Sequence, residues 1–261
     1  MFDLTGKTAV ITGAATGIGA AVTSLLFQLG AKTVLVARSE GNLKKLADQL
    51  DPNQRTLRWY AADVREEEQL VAVRENVVSE FGSVDVLVTC AAAPALAKKC
   101  ESMSYAEWRG VLSIDLDGVF LACKVFGAEM LRAGYGRIVN LTSFHTVATY
   151  PNRTAYNAAK SAVTGLTRAL AVEWGAHGVT VNAVAPGPIR TPRTQGFLDK
   201  DPNTEKGMIG RTPTRRLGDT ADVASLVVFL ISDAARHING QEIVIDGGWT
   251  KSAWWGDYGK I

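Results

Sequence analysis

The stretch "TAVITGAATGIGAAV", residues 8–22, decides the fold. A short β-branched run leads straight into three glycines, Gly13, Gly17 and Gly19, and then into residues that are apolar at three- and four-residue steps. That order predicts a strand, a sharp turn and a helix. Glycine lets the backbone turn tightly and come close to a pyrophosphate, while a helix starting there offers free N–H groups and a partial positive charge. Such a turn can also serve packing alone. Its position at the first strand-to-helix turn of the chain favours a dinucleotide.

Working outward, the same alternation recurs. Strand-like runs stand at "TAVIT" (8–12), "KTVLVA" (32–37), "TLRWYAA" (56–62), "VDVLVT" (84–89), "GRIVNL" (136–141), "GVTVNAVA" (178–185) and "QEIVIDG" (241–247). Helical patterns separate them at 17–30, 66–82, 154–175 and 220–233. Seven strands with helices between them predict an α/β fold, a doubly wound, seven-stranded parallel sheet with helices on both faces. With 261 residues, 47% of them hydrophobic, the chain can bury one large core, and a single domain over 1–261 is expected. The proline-rich piece 186–219 reads as one long irregular loop, and its central part, about 188–217, as a lid over a ligand. A tryptophan-rich tail, about 248–261, follows the last strand.

Charge and composition narrow the partners. Lys and Arg exceed Asp and Glu by only 28 to 26 and are scattered, so neither a nucleic-acid nor a membrane-surface footprint is visible and a small-molecule partner is expected. Cys90, Cys100 and Cys123 form no paired framework and have no metal-ligand spacing with the three histidines. No metal is expected, and a reducing cytoplasm fits. No apolar run approaches the ~18 residues of a spanning helix, and the N-terminus reads as a strand rather than a cleavable signal.

Two further segments carry chemistry. The second strand ends "VARS" (36–39), where an acidic residue would bond a ribose 2′-hydroxyl. Ala37 cannot, whereas Arg38 and Ser39 suit a 2′-phosphate, which favours NADP and leaves NAD possible. In "TAYNAAK" (154–160), Tyr156 and Lys160 stand four apart and so share one helix face. A free phenol titrates near ~10, and an ammonium beside it favours the phenolate, so the pair reads as an acid/base device.

Together these segments resemble the short-chain dehydrogenase/reductase family of single-domain Rossmann oxidoreductases over essentially the whole chain. Thr12-Gly13-xxx-Gly17-x-Gly19 matches its cofactor loop, which implies contacts from Gly13, Thr16, Gly17, Ile18 and Gly19. Asp63 and Val64 match the pair that meets adenine. Ser143 lies thirteen residues before Tyr156 and matches the family's serine, so the resemblance implies Ser143, Tyr156 and Lys160 as the catalytic set. Tyr156 would be general acid or base, Ser143 would hold the substrate oxygen, and Lys160 would also grip the nicotinamide ribose. The stretch "VNAVAPGPIRT" (181–191) is similar to the nicotinamide cradle, which implies Pro186, Gly187, Ile189 and Thr191.

Two departures stand out. "TCAA" (89–92) replaces the usual Asn-Asn-Ala-Gly, leaving Cys90 and Ala91 as a small-residue floor beside the adenine ribose. Asp115 replaces the helix asparagine that helps hold a relay water near the lysine, so it is expected to reach Lys160 through that water, or else to satisfy backbone groups at a helix irregularity. The expected activity is interconversion of a secondary alcohol and a ketone with NAD(P). The rivals are a non-catalytic cofactor-binding regulator and a 3-oxoacyl-thioester reductase, for which "RTPTRR" (211–216) is the candidate docking patch. Phe144, His145, Tyr150 and the lid are expected to line the substrate pocket. By resemblance the protein is a homo-oligomer, a tetramer.

Overall fold

The computed structural model describes residues 2–253 except 54 and 200. Its frame is a seven-stranded parallel sheet built from β1 (Thr8–Thr12), β2 (Lys32–Ala37), β3 (Leu57–Ala61), β4 (Val86–Thr89), β5 (Gly136–Leu141), β6 (Val179–Pro186) and β9 (Glu242–Ile245), in the order β3-β2-β1-β4-β5-β6-β9. Every residue of β1, β5 and β6 is buried, as expected of strands covered on both faces. Along β1 the pleat sends Ala9 and Ile11 to one face and Val10 to the other. The first face packs on α1 (Gly17–Gln28), α2 (Glu40–Leu50) and α9 (Thr220–Ile231), and the second on α3 (Glu67–Phe81), α5 (Gly118–Ala133) and α6 (Thr154–Trp174). The doubly wound sheet expected from the sequence is what the chain forms.

Winding direction places the crevice. The chain runs outward from β1 through β2 to β3, then returns to β4 on the other flank of β1. Loops leaving β1 and β4 therefore diverge, and ligands of open α/β sheets bind at such a switch point. Two glycines let the loops close on one another there. A Cβ on Gly13, where φ is +66°, would stand 2.5 Å from the Ala91 nitrogen, and one on Gly19 would stand 2.2 Å from the Gly13 carbonyl oxygen.

Residues 186–219 differ from the irregular loop expected. They hold two short helices, α7 (Pro192–Leu198) and α8 (Pro202–Arg211), and a second, two-stranded parallel sheet pairs β7 (Ile189–Arg190) with β8 (Gly218–Asp219). The β7–β8 pairing clips the two ends of the segment together, and Asp219 and Asp222 form a capping box that starts α9 directly after it. Between α4 (Tyr105–Leu112) and α5 the backbone widens into one π-helical turn, Ser113–Asp117, that turns Ile114 and Asp115 into the interior. Of the tail, Trp249 is buried at 3% exposure, whereas Trp254, Trp255 and the residues after them lie outside the described residues.

Candidate active site

A cleft of about 580 Å³ opens at the carboxyl ends of the central strands. One end is the glycine turn. Gly13, Thr16, Gly17, Ile18, Gly19 and Arg38 line it, and a smaller depression of about 210 Å³ continues from it past Ser39, Asp63, Val64 and Ala91. Thr16 precedes α1 without a side-chain capping bond, so the N–H groups of the first turn are not taken up by that side chain. A Cβ on Gly17 would project toward Thr191, 3.7 Å away across the cleft, so the missing side chain leaves room between the glycine turn and the segment after β6. These features suit a dinucleotide pyrophosphate at the α1 N-terminus.

Beside it, Arg65 binds the Asp63 carboxylate through Nε at 3.1 Å and Nη2 at 2.6 Å, holding that carboxyl below its ordinary range. Arg38 is exposed at the rim and adds a weaker pull on the same group.

The floor departs from the expected amides in a way the packing explains. Thr89, at the end of β4, donates its hydroxyl to Asn140 Oδ1 on β5 at 2.9 Å, and the Asn140 amide donates to Thr167 on α6 at 3.0 Å. This buried chain ties the strand ends to the helix that carries the reactive groups. Cys90 faces the cleft, and burial pushes its thiol up to about 12 despite the opposing charge of Lys160, so it offers no thiolate at neutral pH.

At the other end of the cleft, Ser143, Tyr156 and Lys160 converge. Ser143 follows β5 and starts the 3₁₀ turn Phe144–Thr146, its hydroxyl accepting the His145 N–H at 3.3 Å. Tyr156 is in the first turn of α6 and half-buried, and Lys160 follows one turn later on the same face. The Lys160 ammonium lies 5.8 Å from the Tyr156 ring centroid, donates to the Leu141 carbonyl at 3.0 Å and is 2% exposed.

Asp115 is where the structure corrects the water-bridged expectation. Its Oδ1 stands 3.5 Å from Lys160 Nζ, a direct ion pair, and accepts the Ala93 N–H at 3.2 Å. The carboxylate thus places a charge directly at the lysine and also satisfies a backbone group at the helix irregularity. The π-turn accounts for the short distance by rotating Asp115 fully inward. Its other oxygen, Oδ2, is buried without a hydrogen-bond partner among the described residues. Of the site residues expected from the sequence, Asp115 alone does not line the cleft or its extension.

The substrate end is aromatic. Phe144, His145 and Tyr150 line it, and Trp249 packs behind them, 5.1 Å from Phe144 and 5.6 Å from Tyr150 between ring centroids. Arg211, the last residue of α8, places its guanidinium 4.0 Å from the Trp249 ring centroid, pinning the lid segment to the tail. Burial, and after it the Arg153 charge, lowers the His145 imidazole from 6.5 to about 4. The folded state therefore holds this ring neutral where an unfolded chain would protonate it, so its contribution to stability is complete above pH 6.5 and is lost as pH falls toward 4. Wild-type protein is expected to lose urea resistance between neutral pH and about 5, and His145→Phe to lose less over the same interval. Equal losses in the two proteins would remove His145 as the source.

Two cationic residues also line the cleft: Arg153, which the sequence reading does not single out, and Arg193, which comes from the segment at about 188–217 expected to line the substrate pocket. Arg153 stands three residues before Tyr156, one helical step from the phenol, and that spacing was a usable signal. Arg193 belongs to the lid and carried none.

A glycine-turn cleft that ends on a tyrosine–lysine helix defines a nicotinamide-dependent oxidoreductase. Residues 13–250 match the family model described as enoyl-(acyl carrier protein) reductase. The chain is 39% identical over 249 residues to D-threitol dehydrogenase of Mycolicibacterium smegmatis, covering 95% of each chain. It is also 39% identical over 244 residues to cis-4-hydroxycyclohexanecarboxylate dehydrogenase of Sinomonas cyclohexanicum, covering 94% of this chain and 96% of that one. A provisionally assigned NAD(P)-dependent gluconate 5-dehydrogenase from Beutenbergia cavernae, solved with NADP at low occupancy, superposes with a TM-score of 0.89 at 37% identity, over 96% of this chain and 99% of that one. The chain belongs to the short-chain dehydrogenase/reductase family. It is an NAD(P)-dependent oxidoreductase that interconverts alcohols and ketones, which sets aside the non-catalytic regulator.

Proposed function

We propose that Tyr156 is the general acid and base, that Ser143 holds the substrate oxygen, and that the preferred cofactor is NADP. The convergence of Ser143, Tyr156 and Lys160 at the far end of the glycine-turn cleft carries this reading. Gly13, Thr16, Gly17, Ile18 and Gly19 hold the pyrophosphate; Asp63, Val64, Cys90 and Ala91 border the adenosine; Pro186, Gly187, Ile189 and Thr191 border the nicotinamide. The bound nicotinamide supplies the hydride or takes it up. The protein handles the proton: the Tyr156 hydroxyl gives it to the carbonyl oxygen in reduction, and the Tyr156 oxygen takes it from the alcohol in oxidation. Ser143 donates to the oxygen on which charge develops. The Lys160 ammonium favours negative charge at the phenol oxygen, and Asp115 fixes where that ammonium stands. The segment at about 188–217 acts as a lid that shields the reaction from water.

The carrier-borne thioester is the weaker substrate class. In the segment 211–216, Arg211 stacks on Trp249 and Arg216 is held by both oxygens of Asp222, at 2.6 and 2.9 Å, so these arginines are engaged within the chain. Two of the dehydrogenase relatives are named for a small polyol and a hydroxy acid, which supports that substrate class. A panel of polyols, cyclic alcohols, hydroxy acids and acyl thioesters, followed with each cofactor by the absorbance of the reduced nicotinamide, tests the reading. Turnover confined to acyl thioesters would overturn it.

NADP preference rests on Arg38 and Ser39, exposed where an acidic residue would otherwise meet the ribose. Arg38→Ala is expected to weaken NADP about 10- to 100-fold while changing NAD little, since a hydrogen bond to a charged group contributes roughly 1.5–3 kcal/mol. Titration of both cofactors decides it, and equal losses would show that Arg38 does not read the phosphate. A homo-oligomer, a tetramer, in the cytoplasm completes the reading, on family resemblance.

A further inference from the structure

Among the described residues the cleft is lined by four cationic side chains, Arg38, Arg153, Lys160 and Arg193, and by no aspartate or glutamate. Two of the four have work already. Arg38 stands at the adenosine rim, and Lys160 is paired with Asp115. Arg153 and Arg193 remain, and neither forms an ion pair among the described residues.

Both stand at the substrate end. Arg153 immediately precedes α6, half-buried, with Nη1 donating to the Leu96 carbonyl at 3.2 Å, which orients the guanidinium and leaves most of its N–H groups for another acceptor. Its charge reaches both the His145 and the Tyr150 rings. Arg193, on α7 of the lid, holds its guanidinium 5.6 Å from the Tyr156 ring centroid. The pyrophosphate does not need Arg153, because the α1 N-terminus that takes it lies at the opposite end of the cleft. Phe144, Leu198, Met208 and Leu217 supply apolar wall at this end. Uncompensated positive charge over a low-dielectric wall concentrates anions, and a guanidinium fork fits a carboxylate with two parallel hydrogen bonds.

We propose that the substrate is a secondary alcohol or ketone that carries a carboxylate on an apolar carbon frame, with the carboxylate bound by Arg153 and Arg193 and the reacting carbon at Tyr156. The proposal rests on the oxidoreductase reading above and names the substrate class for the same site. The two guanidiniums stand on different elements, Arg153 just before α6 and Arg193 on α7, so the carboxylate would be gripped from both sides of the cleft.

The test compares alicyclic and open-chain hydroxy acids with their primary amides, which keep the carbinol and lose the charge. Two readouts run in parallel, oxidation rate with NADP and NAD, and calorimetric binding of acid and amide to the protein loaded with oxidised cofactor. The acid is expected to be preferred over its amide by about 10- to 100-fold in kcat/KM and in affinity, and Arg153→Met to cut that preference at least tenfold, mostly through KM. Arg193→Met is expected to cut it as well. Acids and amides handled equally, or a preference that survives Arg153→Met, would overturn the proposal while leaving the oxidoreductase intact. Acids that bind in preference through Arg153 yet transfer no hydride with either cofactor would sustain the carboxylate site but overturn the placement of the reacting carbon at Tyr156, and with it the catalytic roles proposed above.

Discussion

Tyr156→Phe is expected to lower turnover by about 100- to 10,000-fold while cofactor affinity stays near that of the wild type. The substitution removes one oxygen and keeps the ring. That ring carries the local packing, lying 5.5 Å from His145 with its plane nearly perpendicular to it. The hydroxyl makes no hydrogen bond to any described residue, so its loss leaves no buried partner unsatisfied and the fold should hardly notice. What is lost, on the reading proposed above, is the proton at the end of the cleft where Ser143, Tyr156 and Lys160 converge. Steady-state rates in both directions, with cofactor titrated by fluorescence, separate the two effects. A variant that kept more than about a tenth of the wild-type rate would show that another group moves the proton.

The sheet was legible because its strands are covered on both faces. Continuous runs such as "TAVIT" and "KTVLVA" can hardly be anything else when a short turn and a helix follow each of them. The cleft was legible for the same reason, since functional residues sit where strands end, and strand ends are marked by the glycines and the Ser143 and Pro186 turns. The lid was less so. Asp201 caps α8 by accepting the Asn203 N–H at 2.9 Å, and an Asp-Pro pair is a fair helix-start signal, but the surrounding glycines and prolines masked it. Arg153 is marked by its place three residues before Tyr156, whereas Arg193 lies in a segment that meets α6 only in three dimensions, so no spacing announces it. That Asp115 meets Lys160 directly rather than through a water was hidden for another reason: it depends on one extra residue in a helical turn, which has no signature in side-chain type.

That pair gives the second large effect. Asp115→Leu is expected to cost about 3–5 kcal/mol of stability, the usual penalty for removing one partner of a buried ion pair. Asp115 is 0% exposed and Lys160 2%, so neither charge has water to fall back on, and among the described residues the ammonium would keep only the Leu141 carbonyl, 3.0 Å away. The Ala93 N–H would lose its acceptor as well. Coulomb attraction across 3.5 Å at an effective dielectric of ~20 is about 5 kcal/mol, but desolvating both groups offsets much of it, so the pair contributes less than its removal costs. Asp115→Asn retains an amide oxygen for both donors and should cost only about 1–3 kcal/mol. Lys160→Met removes the other charge, and in its background Asp115→Leu should cost less than it does alone, because no ammonium is then left stranded. Urea unfolding of the four proteins measures the coupling directly. Additive losses would mean that the two charges do not sense one another, and the placement of Lys160 would then rest on Leu141 alone.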